Sequence, residues 1–202
     1  MMSRSTIAWV VAVLVICTVI MAYVSMRTKE ASAAAAAAPS SAPRKKTRHR
    51  WVLVLDLDET LVHTPNEGRA DPIERPFVRE FLRRVAETFD EVVVFTAGTK
   101  EYASPVLDGL DPERRIFGRR LYRESCSIVE LAGVLSVVKD LRRLGEADLS
   151  RVRLVDNTPS TYALQPASGV PISSFYGDPS DRALVETLAR LVSEVAMDGR
   201  SS

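Results

Sequence analysis

The sequence predicts an α/β fold, a central parallel sheet flanked by helices, and three observations carry that prediction. The apolar run at 51–55 is too short for a helix and rich in β-branched residues, so it reads as a strand buried on both faces. Runs of the same kind recur at 91–95 and 151–155, and each of the three ends in polar residues. Stretches with helical spacing alternate with them, the order expected of strands joined by crossover helices.

The first run, Trp51-Val-Leu-Val-Leu, delivers Asp56 and Asp58. Open α/β sheets bind ligands outside the carboxyl ends of their strands, where two carboxylates two residues apart would be exposed together. The second run ends in Thr96, and the third in Asp156 and Asn157. Asp, Thr and Asn are ordinary residues where a strand gives way to a turn. Three coincident endings together with the Asp-x-Asp pair favour a site over a set of turns.

The remaining elements follow in order. A polar, turn-rich loop runs from His63 to Glu74, too short to fold into a lid. Phe77, Val78, Phe81, Leu82, Val85 and Phe89 share one face of a helix over 76–89, with Pro76 in its first turn. A helix over about 100–110, a third strand at 120–122 and a segment reaching Lys139 come next, and Leu144-Gly145 closes a further helix. A last strand is expected at 172–175 and a closing helix at 181–195, where Leu184, Leu188, Leu191 and Val195 line up.

Ahead of this domain, residues 7–24 are uncharged over roughly 18 positions, long enough to cross a bilayer. Trp9 and Tyr23 stand near the two ends, where interfacial aromatics belong. A cleaved signal peptide is the competing reading, with Arg4 in its n-region and Ala31-Ser32-Ala33 as cleavage site. Signal h-regions run about 7–15 residues and end close to the cut, so an uncleaved anchor over 1–27 fits better. Residues 28–50, rich in Ala, Ser and Pro and closing on a basic cluster, read as a tether. The basic excess after the anchor places domain 51–202 in the cytoplasm.

Charge excludes one function class. Eight of the 27 basic residues and one of the 26 acidic ones precede Trp51, leaving 19 basic against 25 acidic in the domain. A modestly acidic domain is not a direct nucleic-acid binder.

Gathered at one sheet edge, Asp56, Asp58, Thr96, Lys139, Asp156 and Asn157 offer oxygen ligands suited to Mg²⁺, completed by a phosphate. One aspartate would attack phosphorus, and the other would protonate the departing oxygen and later take a proton from water. Spacing alone does not assign the roles. Asp56 ends the strand and is the more fixed, which suits an in-line nucleophile; Asp58, in the loop, can reach the leaving group. Thr96 and the backbone N–H groups of Ala97 and Gly98 would bind phosphoryl oxygens. Lys139 has a weaker case, because a lone lysine is usually solvated.

Five segments, Asp56-Leu-Asp58-Glu-Thr60-Leu-Val-His63, Phe95-Thr96-Ala97-Gly98, Arg123-Glu-Ser-Cys126, Val138-Lys139-Asp140-Leu141 and Val155-Asp156-Asn157-Thr158-Pro159, carry a resemblance. In this order they resemble the signature of haloacid-dehalogenase-superfamily phosphatases of the small CTD phosphatase, NLI-interacting-factor-like type. The resemblance implies a Rossmann-like haloacid-dehalogenase fold with no large cap domain, and a Mg²⁺-requiring protein serine/threonine phosphatase. It implies Asp56 as nucleophile and Asp58 as general acid/base. The metal would be held by the Asp56 side chain, the Asp58 backbone carbonyl and Asn157, with Asp156 supporting the metal-bound waters. Thr96 and Lys139 would hold the phosphoryl group. With its anchor the chain is similar to membrane members of the endoplasmic reticulum and nuclear envelope, whose candidate partners are a phosphoprotein substrate and a membrane-bound regulatory subunit.

Some features depart from that pattern. The loop from Val62 to Arg75 is short and is expected to lack the β-hairpin that helps such enzymes recognise a substrate proline, which removes the ground for expecting a Ser-Pro preference. The stretch from Ser127 to Val137 is longer and more apolar than the pattern predicts. Two other functions compete: a binding or translocase subunit that keeps the fold, as in mitochondrial presequence import, and a small-metabolite phosphatase. The intact Asp56 and Asp58 speak against the first, and the lack of a lid against the second.

Overall fold

The computed structural model describes residues 50–65, 71–146 and 148–199. The anchor and tether expected over 1–50 lie outside the described residues apart from Arg50. Among the described residues no helix is long and apolar enough to cross a membrane.

Strand β1 (Val52–Leu55) is fully buried, as a doubly covered strand should be. It pairs in parallel with β4 (Glu91–Phe95) on one side and with β8 (Val152–Asp156) on the other. Outside these lie β5 (Phe117–Leu121) and β9 (Gly169–Pro171), so the all-parallel sheet runs β5-β4-β1-β8-β9. The chain winds outward from β1 in one direction and then crosses to its other side. β1 is therefore the topological switch point, the place where open α/β sheets open a crevice for ligands.

Alternation assigns the two faces. Leu53, Leu55, Val92 and Val94 pack with helices α1 (Val78–Thr88), α2 (Lys100–Leu110) and α3 (Ala183–Asp198). Val52, Val54, Val93 and Phe95 pack instead against 3-10 turns at Leu141–Leu144 and Pro159–Tyr162. Both faces are covered, one by α-helices and the other by short turns. The described residues form one compact unit, with no second domain standing as a cap.

Several boundaries differ from expectation for local reasons. Helix α1 starts at Val78, not at Pro76: Val78 N–H bonds the Arg75 carbonyl, and Phe77 takes a left-handed conformation at φ 66°. The segment 172–175 is no strand. Phe175 N–H goes to the Glu59 carbonyl at 2.8 Å, out of the sheet, and the edge strand lies just before it. The helix expected before Gly145 is a single 3-10 turn, which Gly145 ends at φ 71°. The loop read as turn-rich contains a two-residue antiparallel pairing of β2 (Val62–His63) with β3 (Ile73–Glu74).

The apolar stretch after Cys126 is a hairpin, β6 (Ser127–Leu131) with β7 (Val134–Val138). Ala132 and Gly133 both have positive φ, the conformation a two-residue hairpin turn demands. Its last strand leads straight into Lys139, whose N–H bonds the Thr161 carbonyl at 2.7 Å.

Arg75 is 1% exposed and holds the segment after β1 in place. Its guanidinium forks onto Asp181 with two bonds of 2.8 Å, donates to the Thr60 carbonyl at 3.1 Å and to Ser173 Oγ at 3.1 Å, and lies 5.4 Å from the Phe175 ring. Removing one member of such a pair leaves the other charge poorly solvated. Arg75→Met is expected to lower the unfolding free energy by about 3–5 kcal/mol in chemical denaturation. An unchanged midpoint would show that the guanidinium is dispensable there.

Candidate active site

The carboxyl end of β1 continues as Asp56-Leu57-Asp58-Glu59-Thr60. Glu59 takes a left-handed conformation at φ 56°, which turns the chain back so that Leu61 and Val62 N–H groups reach the Leu57 carbonyl at 2.9 and 3.2 Å. Leu57 and Leu61 are fully buried and clamp this turn to the core. The two aspartates consequently face different surroundings: Asp56 is 6% exposed, whereas Asp58 is half-buried in an open cleft.

Around Asp56 the structure brings together residues distant in sequence. Lys139 Nζ donates to Asp56 Oδ1 at 2.5 Å and to Asp156 Oδ2 at 2.7 Å, and it is 1% exposed. Asp156 Oδ1 accepts from Thr158 N–H at 2.8 Å, so both of its oxygens are engaged. Thr60 Oγ1 donates to Asp56 Oδ2 at 2.8 Å and lies 3.3 Å from Asn157 Oδ1. Asn157 Nδ2 donates to Ser174 Oγ at 3.0 Å, and its carbonyl oxygen lies on the Thr60 hydroxyl. Among the described residues no buried side-chain polar atom lacks a partner.

Two buried carboxylates share one ammonium. Burial pushes the Asp56 carboxyl up to about 6; the Lys139 charge pulls it down and the Asp156 charge pushes it up. Burial alone would discharge Lys139, but the attraction of Asp56 and Asp156 overcomes it and raises the lysine pKa. The group is thus one cation short of balance.

That shortage, and the donors present, fit a hard divalent cation. Asp56 Oδ2 and Asn157 Oδ1 both lie within hydrogen-bonding reach of the Thr60 hydroxyl, and both side chains would supply oxygen donors to such an ion. The Asp58 backbone carbonyl is next along the turn. Carboxylate, amide and carbonyl oxygens are the donors Mg²⁺ takes, with waters completing its shell. Among the described residues no group of three or more His, Cys, Asp or Glu side chains is placed to hold a metal, so the mixed oxygen set is the candidate.

A second knot surrounds Asp58. Thr96 Oγ1 donates to Asp58 Oδ2 at 3.3 Å and accepts from Gly98 N–H at 2.9 Å, while Tyr102 OH donates to Asp58 Oδ1 at 2.5 Å. The Gly98 N–H expected to meet a phosphoryl oxygen therefore has an internal partner. The cleft beside it, about 420 Å³, is lined by Asp58, Glu59, Ala97, Gly98, Tyr102 and Arg123, among others. Arg123 Nε donates to the Ala97 carbonyl at 2.7 Å and so pins the loop after β4.

The sequence reading missed Thr60 as the link between Asp56 and Asn157, Tyr102 on Asp58, and Arg75 beneath the turn. Thr60 had a signal, since it stands four residues after Asp56 at the bend where its hydroxyl can turn back. Tyr102 and Arg75 had none: nothing local says that a helix-start tyrosine meets a carboxylate 44 residues earlier.

Comparison with known proteins shows the family. The model of NLI interacting factor-like phosphatases matches residues 51–201. A probable C-terminal domain small phosphatase of Dictyostelium discoideum is 44% identical over 156 residues, covering 69% of this chain and 49% of that protein. CTD nuclear envelope phosphatase 1 of Xenopus tropicalis is 39% identical over 166 residues, covering 70% of this chain and 66% of that one. The chain thus spans less than two thirds of the length of either relative. The solved structure of fission yeast RNA polymerase II CTD phosphatase Fcp1 superposes with a TM-score of 0.50 at 23% identity, over 73% of this chain and 51% of that one, a likeness of fold. Matched over nearly the whole of its folded domain, this chain belongs to the family of NLI interacting factor-like phosphatases.

Proposed function

We propose that this chain is a membrane-tethered, Mg²⁺-dependent protein serine/threonine phosphatase that works through an aspartyl phosphate. The observation that carries the reading is the Lys139 ammonium held between Asp56 and Asp156, with Thr60 joining Asp56 to Asn157, at the switch point of the sheet.

In this reading Asp56 attacks phosphorus, and the bond to the serine or threonine oxygen breaks as Asp58 gives that oxygen a proton. Asp58 then takes a proton from water, which attacks phosphorus and releases inorganic phosphate from Asp56. Asp56, the Asp58 carbonyl and Asn157 would hold Mg²⁺, with Asp156 fixed behind them. Bound there, the metal would supply positive charge that offsets repulsion between the carboxylate and the phosphoryl oxygens. An ammonium has three N–H donors and the two carboxylates take two, which leaves one on Lys139 for a phosphoryl oxygen. In this reading the Thr96 hydroxyl, 3.3 Å from Asp58, and the Ala97 N–H would take the others, and the Gly98 N–H would join them only by leaving Thr96 Oγ1.

Among the described residues no second domain covers the carboxyl edge, which supports a phosphoprotein substrate, because a polypeptide could lie across it while only its phosphoryl group enters. The uncharged stretch at 7–24 and a relative named for the nuclear envelope support a membrane location in the endoplasmic reticulum or nuclear envelope, with the domain facing the cytoplasm. Tethering of this kind would keep the domain within reach of a membrane-bound regulatory subunit.

The full chain in detergent micelles with Mg²⁺ is expected to hydrolyse 4-nitrophenyl phosphate. A chelator, or Asp56→Asn, should each lower kcat by at least about a thousandfold. Turnover indifferent to both would sink the mechanism.

The charge shortage makes a separate forecast. The folded-state pKa of Asp56, about 6, lies above the ordinary 3.8. Its contribution to stability is thus complete below pH 3.8 and is lost as the pH rises through about 6. With chelator present, Asp56→Asn should therefore be more stable than wild type at pH 8, by an amount on the order of 1 kcal/mol, and lose that advantage at pH 4. Denaturant titration at the two pH values reads the difference; a variant less stable at pH 8 would contradict the raised pKa.

A further inference from the structure

Tyr102 lies in the first turn of α2, which Thr99 caps through a 3.4 Å bond from Tyr102 N–H. The helix start thereby aims the half-buried phenol at the turn after β1. Its hydroxyl donates to Asp58 Oδ1 at 2.5 Å, so the Thr64 hydroxyl, 2.7 Å from the phenol oxygen, is left to donate to it. Burial, followed by the bond to Asp58, raises the phenol pKa, and the group stays a donor throughout the neutral range.

Asp58 has two oxygens and two side-chain partners that differ in kind. The bond from Thr96 is long, at 3.3 Å, and Thr96 is the hydroxyl suited to a phosphoryl oxygen. When Thr96 turns to the phosphoryl group, Oδ2 is released while Oδ1 remains tied to Tyr102. A carboxylic acid whose carbonyl oxygen accepts a hydrogen bond presents its O–H from the other oxygen.

We propose that Tyr102 is a positioning residue for proton transfer to the leaving group: by holding Oδ1 of Asp58 it directs Oδ2 toward the serine or threonine oxygen. The inference rests on the aspartyl-phosphate reading above. The proton on Asp58 Oδ2 passes to the ester oxygen as the phosphorus–oxygen bond breaks, and Oδ2 regains a proton from water in the second step. Tyr102 keeps its own proton throughout.

The test separates leaving groups. A 4-nitrophenolate departs without a proton, whereas a serine alkoxide does not. In the full chain, Tyr102→Phe should raise the ratio of kcat/KM for 4-nitrophenyl phosphate over a phosphoserine peptide by at least about tenfold. kcat/KM is the quantity to compare because it reports steps up to the first bond cleavage and excludes hydrolysis of the intermediate. Asp58→Asn should change the ratio in the same direction and further. Activity on the aryl ester certifies that the variant folds. An unchanged ratio, whether both rates fall together or neither falls, overturns the proposal and leaves the phosphatase reading intact. A wild-type chain that hydrolyses neither ester overturns both.

Discussion

One lysine ammonium between two buried carboxylates is the interaction on which the rest of the structure depends. Taking each ion out of water costs several kcal/mol even after relaxation, so the group persists only where its partners are fixed in advance. Asp56 follows the end of β1, Asp156 ends β8, and Lys139 follows the strand that closes the β6–β7 hairpin. These elements meet because β1 and β8 are neighbours in register, Leu55 opposite Val155, and because Thr161 receives the Lys139 N–H. Full burial of an aliphatic side chain contributes about 1.5–3 kcal/mol, and β1 buries four of them, which offsets the ionic cost beside it.

The arrangement is also deliberately incomplete. An amide at position 156 would leave one carboxylate for the one ammonium and so balance the charge. In the proposed reading it would also leave less negative charge for a divalent cation to neutralise. Sites that destabilise the empty protein and are completed by what they bind are where function is built at the expense of stability. Here Thr60 links Asp56 to Asn157, whose amide nitrogen is held by Ser174.

How far this was legible in the sequence depends on whether a feature is local. Asp56 and Asp58 could be placed because a short apolar run fixes both the strand and the end at which it stops. Thr96, Asp156 and Asn157 followed by the same logic. Lys139 had no such support: lysine is usually solvated, and its burial comes from a hairpin of which the sequence showed only unexplained apolar length. The strand expected at 172–175 failed because Ile172-Ser-Ser-Phe175 does not reveal that the last of its N–H groups is needed elsewhere. Phe175 turns to the Glu59 carbonyl, and the edge of the sheet is supplied by Gly169–Pro171. At Gly169 a Cβ would stand 2.3 Å from the Tyr162 ring, a close approach that only tertiary structure discloses.

The turn after β1 explains why two carboxylates two residues apart can do different work. On a continuing strand, positions 56 and 58 would point to the same face and share one environment. The left-handed Glu59 ends the strand, and Arg75 and Phe175 hold the Thr60 and Glu59 carbonyls so that the turn does not relax. Asp56 is thereby left in the dry knot with Lys139, its two oxygens fixed by Lys139 and Thr60, as the proposed nucleophile would need. Asp58 is carried into the cleft, where Thr96 and Tyr102 hold it with looser and tighter bonds. Pairs of acids acquire separate roles when their surroundings differ, and here one backbone conformation creates the difference. The division of labour therefore lies in the turn as much as in the aspartates.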